Sequence, residues 1–513
     1  MPNPDREELL TGDADGASWM TERKVLRPFK IPPLVLLATV LALAVGELAC
    51  GTGLYFVTML VIAMLSIGVT YNLLGGVATF SGIIFTAFAL RTIVISQFAK
   101  VALQEAADKN LEVPSLTITV YAVFYLSAMF GVFLFGHLRF RLPRPLEANT
   151  QGDRLVLYGI CLVAGLTASV IYESYNVVYG SDETVFSQGR SLGLAFAPLL
   201  LMAIVVAVDR RVQKTDGRHS FGVAALIPWL AAGFFGFVDT VRTAMLAPSI
   251  VYLSTCYLRG YRFRLRHYIA VGALTCVFVA VISPLALYTR GLVEGRALAS
   301  RIHFAFEALS GLEDRSAVLD QVENETNPRE QYFSAPGTYV ISRLSLIRAD
   351  STIVSAAAYG ARYGFKPTWI ALEEAVPRML DKNKVTYTNP QDYIGHFAGM
   401  SAEGATNSSP QFSAVGDSFG AFGWAGVVLF PLLVFPLIFI LYESMFDISR
   451  PWGTVMFGML FLNFGEMMVH RSVEILLRDP FYIVLLSYFI GGIARFIPKR
   501  ADSSLRVSSR KAA

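Results

Sequence analysis

The sequence predicts an all-α, polytopic membrane protein with about twelve transmembrane helices and a large helical loop outside the membrane. The 513 residues are 54% hydrophobic and only 16% charged, and the mean hydropathy of +0.51 excludes an ordinary soluble domain. Apolar runs near the length that crosses a ~30 Å hydrocarbon core recur along the chain. Because lipid cannot satisfy backbone hydrogen-bonding groups, we interpret these runs as helices.

The predicted spans form nine helices before the large loop and three after it. They cover residues 32–49, 53–72, 77–98, 115–136, 155–175, 191–208, 221–237, 240–257, 268–288, 419–442, 452–470 and 480–496. The chain therefore divides into a tail at 1–31, a nine-helix bundle at 32–288, the large loop at 289–417, three helices at 418–497 and a second tail at 498–513. The first thirty or so residues are polar, so the first span is expected to act as its own anchor.

Lysine and arginine orient these spans. The basic segments are residues 23–30, 137–144, 209–218, 258–267 and the tail after 495. With twelve spans all of them fall on one side, which the positive-inside rule assigns to the cytoplasm. Both termini are then cytoplasmic and the 289–417 loop is extracytoplasmic. Most of the net charge of +4 comes from the excess of lysine and arginine on the cytoplasmic side, so we expect no nucleic-acid partner.

The four cysteines, Cys50, Cys161, Cys256 and Cys276, lie in or at the edges of spans. None lies in the large loop, so neither a disulfide framework nor a metal site is indicated. We interpret them as small apolar residues of the bundle and expect no cofactor.

The large loop is predicted to fold into helices that cap the outer mouth of the bundle. Residues 297–314 and 337–361 carry apolar side chains at helical spacing, and residues 369–376 read as a short helix ended by Pro377. Acidic residues dominate from Glu307 to Glu330, and basic residues follow.

Cations at the outer face favour an anionic, membrane-borne substrate. Arg242 lies about one turn inside the outer end of a span, where its guanidinium could bind a diphosphate or carboxylate. A snorkelling arginine, or one paired with Asp239, is the structural alternative. Arg471 ends the eleventh predicted span together with His470, and Glu466 is their expected partner.

Further arginines lie in the loop. Arg343 and Arg348 are five residues apart, about 140° around a helix, so they do not share one stripe. We expect one of these arginines to bind substrate and the other to form an ion pair with Asp350. Arg378 follows Pro377, and Arg91, in the outer half of the third span, is a weaker candidate.

Two residues are candidates for a general base. His396 has a side chain whose ordinary pKa suits proton abstraction near neutral pH, although a solvated loop histidine is the alternative. Asp417 lies where the chain returns into the membrane, and its alternative role is the N-cap of the tenth span. The residues leave this choice open.

Several segments resemble the Wzy-type oligosaccharide repeat-unit (O-antigen) polymerases. Residues 377–384 (PRMLDKNK) resemble the family's Pro-Arg-x-Leu-x-x-x-Lys signature. Asn407-Ser-Ser-Pro with residues 416–426 (GDSFGAFGWAG) resembles its segment after the large periplasmic loop, where glutamate is as common as the aspartate found here. Val241-Arg242-Thr-Ala-Met resembles its span-edge arginine, and the helix with Arg343 and Arg348 resembles its arginine-containing loop helix.

The resemblance implies a GT-C-like glycosyltransferase that joins repeat units carried on undecaprenyl diphosphate at the periplasmic face of a bacterial inner membrane. Besides the lipid-linked oligosaccharide and the bilayer, a chain-length regulator and a flippase are expected partners. His396 and Asp417 are then the catalytic candidates, and metal independence is expected. The candidate ligands of the diphosphate are Arg242, Arg343, Arg348, Arg378 and Arg471.

Two alternatives remain open. An O-antigen ligase has a similar arrangement but transfers the glycan to lipid A core, and the Pro377-Arg378 signature favours the polymerase. A flippase for the same lipid-linked sugars needs polar residues through the span interiors, and these spans have few.

Overall fold

The computed structural model describes the core of the bundle and the part of the large loop that packs on it. This loop, residues 289–417, is called the outer loop after its predicted side of the membrane. The described residues are 30–136, 138, 154–175, 193, 195–239, 242–277, 299–304, 331–334, 338, 342, 345–375, 390–400, 411–447, 453–455 and 467–481. All regular secondary structure within these ranges is helical.

Nine helices precede the outer loop in these ranges. They are α1 (Pro33–Ala49), α2 (Leu54–Leu74), α3 (Phe80–Ala102), α4 (Pro114–Phe135), α5 (Arg154–Tyr175), α6 (Pro198–Lys214), α7 (Val223–Val238), α8 (Arg242–Leu258) and α9 (Leu265–Val277). Within α3, the backbone forms a π-helical turn at Leu90–Val94.

The remaining helices belong to the loop and the C-terminal part. They are α10 (Ile347–Ala358), α11 (Lys366–Ala375), α12 (Pro390–Phe397), α13 (Ala414–Phe422), α14 (Trp424–Met445) and α15 (residues 469–481). The helix predicted at 369–376 is confirmed and begins earlier, because Pro367 is accommodated in its first turn. Of residues 297–314, the six that are described, 299–304, are helical.

Five helices of the described part are long and apolar enough to cross a membrane. They are Leu54–Ala78, Phe80–Ala102, Pro114–Phe135, Leu155–Ser174 and Trp424–Met445, and three shorter apolar helices are Pro33–Ala49, Val223–Val238 and Ala244–Leu258. The prediction of a helical, membrane-embedded protein is therefore confirmed. The count of twelve spans and the GT-C-like arrangement stay predictions.

Two packing units hold the bundle together. In the first, Phe88, Phe124 and Phe435 bring α3, α4 and α14 together, with ring centroids 5.3–6.0 Å apart. In the second, α6 is buried on every side from Leu199 to Val208 between α5, α7 and α8. A helix that is apolar all round belongs in such a central position.

Two local interpretations of the sequence are wrong, namely the end of the eleventh predicted span and the alternative role of Asp417 as an N-cap. His470 and Arg471 do not end a span: α15 begins at Val469, after Met468 in an extended conformation, so both residues occupy its first turn. Hydropathy carries no signal at this boundary because the apolar residues continue across the helix start. Asp417 is not an N-cap either. Ser413 caps α13 by accepting a hydrogen bond from the Val415 N–H at 3.1 Å.

Candidate active site

Two carboxylates lie buried where the outer loop meets the helix that leads back into the bundle. Asp350 on α10 is 0% exposed, and Asp417 on α13 is 1% exposed. Buried carboxylates are costly unless hydrogen bonds compensate them, so their partners determine what each can do.

Glycines bring α10 and α13 into close contact. A Cβ atom at Gly416 would lie 2.7 Å from Asp350 Oδ1, and one at Gly420 would lie 2.7 Å from Ile353 Cγ2. Gly423, at φ +62°, then separates α13 from the membrane helix α14. The glycines of this segment therefore have a structural role, because they allow the loop helix α10 to pack directly against α13.

Asp350 joins three elements through its carboxylate. The Ser413 N–H donates to Oδ1 at 2.7 Å, and the Ser413 hydroxyl donates to Oδ2 at 2.5 Å. The Tyr121 hydroxyl, from the membrane helix α4, also donates to Oδ2. Asp350 therefore fixes the outer helix α10 on α4 and on the start of α13.

Burial raises the pKa of Asp350 to about 7, and the negative charge of Asp417 adds to this increase. The hydrogen bonds from Ser413 and Tyr121 act in the opposite direction. The charge of Asp350 therefore changes near neutral pH. Because the side chain is fully buried and bound by Ser413 and Tyr121, it is suited to holding the site together and not to contacting substrate.

Asp417 is held from two other sides. The Val469 N–H, at the N-terminus of α15, donates to Oδ2 at 2.6 Å, where a helix end favours a negative charge. The Tyr363 hydroxyl donates to Oδ1. Burial raises the pKa of Tyr363 well above its ordinary value, and Asp417 raises it further, so this phenol remains a donor.

His470 follows Val469 and lies beside the same carboxylate. Its Nδ1 is 3.7 Å from Asp417 Oδ2, and its side chain is 7% exposed. This Nδ1 is buried and makes no hydrogen bond within the described part of the chain. A carboxylate beside one imidazole nitrogen can orient the ring for proton transfer at the other nitrogen. The distance between such a carboxylate and imidazole is often long in a structure that contains no substrate.

One predicted diphosphate ligand is the next residue along the chain from His470. Arg471 follows His470 in the first turn of α15 and is partly buried. Arg242 is the first residue of α8, and its side chain lies outside the described part. Arg343 and Arg378 also lie outside the described residues.

Other predicted cations have protein partners. Arg348 Nη2 lies 3.9 Å from Glu112 Oε1, whereas Asp350 is bound by Ser413 and Tyr121 and not by Arg348. The weaker candidate Arg91 donates to Gln411 Oε1 at 2.6 Å.

Asp239, the alternative partner of Arg242, lies 3.8 Å from Arg301, which also forms a 2.9 Å ion pair with Glu173. Arg301 is 4% exposed, so this cluster fixes a loop segment to the ends of α5 and α7.

His396 lies in the last turn of α12 and is partly buried. It makes no hydrogen bond or ion pair with Asp350 or Asp417 in the described structure. Its neighbour Phe397 packs edge-on against Tyr363, with ring centroids 5.0 Å apart. The contact between α12 and Asp417 therefore runs through Phe397 and Tyr363 and not through His396.

The sequence assigned no role to Tyr363, Ser413 or Tyr121. It proposed Asp350 only as the partner of one loop arginine, and His470 only as the end of a span. Asp417 and His470 are 53 positions apart in the sequence, and no spacing rule links them. The one available signal was a titratable residue next to a membrane boundary, which is a functional candidate on physical grounds.

Comparison of the chain with protein families, with curated proteins and with solved structures gave no match. The functional interpretation therefore depends on the residues and their geometry.

Proposed function

We propose that this protein is a polysaccharide polymerase of the bacterial inner membrane. It joins undecaprenyl-diphosphate-linked oligosaccharide repeat units into O-antigen or exopolysaccharide at the periplasmic face, with both chain termini in the cytoplasm. The observation that carries the proposal is the pair formed by Asp417 and His470 at the point where the outer loop packs on the returning helix. The resemblance of residues 377–384 and 416–426 to repeat-unit polymerases supports it.

In the proposed reaction His470 is the general base. Its Nδ1–H faces Asp417, and its Nε2 takes the proton from the acceptor hydroxyl. The acceptor oxygen forms a bond to the anomeric carbon of the donor glycan. The bond between that carbon and the diphosphate oxygen breaks, and its electron pair leaves with undecaprenyl diphosphate. A base of this kind typically contributes ~10²–10⁴-fold in rate.

Arginines stabilise the charge on the departing diphosphate. Arg471 is the candidate nearest in sequence to the base, and Arg242, Arg343 and Arg378 are the other candidates. Each charge-assisted contact of this type contributes about 1.5–3 kcal/mol. No metal ion is required in this scheme.

The test is polymer formation by the purified full chain in liposomes with lipid-linked repeat units. We expect products longer than one repeat unit, and we expect Arg242→Ala and Arg378→Ala to abolish them while membrane insertion is retained. Arg264→Ala, in a basic segment on the predicted cytoplasmic side, is the matched control.

Two results would overturn the proposal. Repeat units that cross the bilayer without lengthening would make the protein a flippase. Transfer of preformed polymer to lipid A core, without lengthening of lipid-linked units, would make it a ligase.

A further inference from the structure

Two basic segments that are distant in the sequence form one surface patch in the folded chain. They are residues 209–218, at the end of α6, and residues 258–267, between α8 and α9, and together they carry eight basic and two acidic side chains. The Arg262 N–H donates to the Gly217 carbonyl at 3.1 Å, which joins the two segments. The basic patch is defined by five exposed cations of these segments, Arg211, Lys214, Arg218, Arg262 and Arg266.

The backbone that carries the basic patch is fixed by further contacts. Arg259 forms a 3.0 Å ion pair with Asp209, which ties the end of α8 to the end of α6. Gly217, at φ +76°, allows the two turns to approach closely, since a Cβ atom there would lie 2.9 Å from the Gly260 carbonyl oxygen. The two segments therefore present their cations on one preformed surface.

The charge of the basic patch is not neutralised by the protein. Within the part of the chain that the structure describes, none of the five cations forms a salt bridge. Asp209 is bound to Arg259, and Asp216 is the other acidic residue of the two segments. A surface with such an excess of one sign attracts ligands of the opposite sign.

The packing of α5 on α6 places the basic patch at a membrane boundary. A Cβ atom at Gly165 would lie 2.4 Å from the Leu200 nitrogen, and one at Gly193 would lie 2.7 Å from the Tyr172 nitrogen. The two chain segments therefore run antiparallel, and the end of α6 is level with the start of α5. The helix Leu155–Ser174 is long and apolar enough to cross a membrane, so its start marks the boundary.

Apolar and aromatic side chains border the basic patch. The exposed ones in and beside the two segments are Phe221, Tyr257, Leu265 and Tyr268. Tyrosine is enriched where the hydrocarbon of a bilayer meets its headgroups. A soluble acidic protein would leave these apolar groups in water, whereas phospholipids cover them and present phosphates to the neighbouring cations.

We propose that the basic patch binds the headgroups of anionic phospholipids in the leaflet that it faces. In the predicted topology this is the cytoplasmic leaflet. A cluster of four to eight basic residues next to a membrane helix is typical of such binding, and each residue strengthens it about fivefold. The inference goes beyond the proposed function and does not depend on it, because these cations have no part in the transfer reaction.

The test is native mass spectrometry of the purified full chain in detergent, titrated with phosphatidylglycerol or with phosphatidylcholine of the same acyl chains. The wild type should bind phosphatidylglycerol about fivefold or more tightly than phosphatidylcholine. Arg262→Gln with Arg266→Gln, and separately Lys214→Gln with Arg218→Gln, should each reduce this preference about fivefold or more, because both segments contribute to one patch.

Arg510→Gln with Lys511→Gln is the matched control, because it removes the same charge from the predicted cytoplasmic tail and should keep the preference. Three results would overturn the proposal. They are equal binding of the two lipids, a preference that both patch variants retain, and a loss in the control as large as in the patch variants. Tighter binding of polyglutamate than of phosphatidylglycerol would also overturn it, because the partner would then be an acidic protein.

Discussion

Burial and hydrogen-bond partners distinguish the residues that hold the candidate site together from those that we propose for chemistry. Asp350 accepts hydrogen bonds at both carboxylate oxygens, so little of its accepting capacity is left to bind substrate. Asp417 has donors too, but it also lies beside the Nδ1 of His470, whose side chain keeps some exposure. The imidazole, positioned by the carboxylate, is the group suited to accept a proton.

The first prediction concerns that pair. His470→Gln should lower the polymerisation rate constant by ~10²-fold or more, because it removes the base. Asp417→Asn should lower it less and also change the pH–rate profile, because it alters the orientation of the ring and not the base itself. The measurement is the rate of lengthening against pH in the reconstituted system.

His219→Gln changes an exposed histidine on the predicted cytoplasmic side and should leave this rate unchanged. If His470→Gln polymerises normally while His396→Gln does not, the base is His396 and our assignment is wrong.

The second prediction concerns Asp350. Its pKa in the folded chain is raised from 3.8 to about 7. Between these values the folded chain holds a proton that the unfolded chain lacks, so the free energy of unfolding falls as the pH rises from about 4 to 7. The loss approaches ~4 kcal/mol in total. Asp350→Asn should remove this loss, so the variant should gain stability relative to the wild type as the pH increases.

Thermal midpoints in detergent at several pH values between 4 and 8 measure this difference. Asp216→Asn, at an exposed turn, is the control and should follow the wild-type curve. Parallel curves for Asp350→Asn and the wild type would show that Asp350 does not titrate in this range.

At the level of elements, the contact between α10 and α13 assembles the candidate site. It brings Asp350 within hydrogen-bond distance of the Ser413 hydroxyl. It also brings Tyr363, which follows α10, within hydrogen-bond distance of Asp417. The N-terminus of α15 completes the cluster by donating the Val469 N–H. Loss of this contact should therefore affect the carboxylate pair as a unit.

The third prediction tests that contact. Gly420→Ala adds a methyl group that would lie 2.6 Å from Tyr363 Cε1 and 2.7 Å from Ile353 Cγ2. Overpacking of this kind typically costs 1–3 kcal/mol, so the thermal midpoint should fall. Polymer formation should fall with it, because Tyr363 must move away from Asp417.

Gly233→Ala is the matched control, because a Cβ atom at this helical position meets nothing within 4 Å. It should leave the thermal midpoint unchanged or raise it slightly, since alanine favours helix. Equal midpoints for Gly420→Ala and Gly233→Ala would contradict the close packing.

For the whole molecule, the predicted orientation decides which substrates the site can meet. Three predicted spans lie between Asp216 and the outer loop, so this topology places the two on opposite sides of the membrane. A lipid-linked glycan at the outer face reaches Asp417 and His470 only if the loop is extracytoplasmic.

The fourth prediction tests this orientation with a membrane-impermeant maleimide. In a chain without its native cysteines, Phe365→Cys should be labelled in intact spheroplasts, since Phe365 is 71% exposed. Asp216→Cys should be labelled only after permeabilisation. The opposite pattern would put the site in the cytoplasm and contradict the proposed function.

The sequence by itself determined the helical membrane class, the positions of five helices long and apolar enough to cross a membrane, and the short helix predicted at 369–376. Composition and apolar run length follow directly from burial in lipid. It also identified Asp417 as a candidate. It could not place the start of α15, because the apolar residues at 467–469 continue across that boundary.

Only the tertiary structure decided which side chains meet. Asp350 with Tyr121, Asp417 with Val469 and His470, and Arg348 with Glu112 are pairs from distant parts of the chain. Their partners depend on how α10 sits on α13, which close approach at Gly416 and Gly420 sets. Helical spacing relates residues within one element, whereas contacts between elements depend on packing, and that is why the site emerged only in the folded chain.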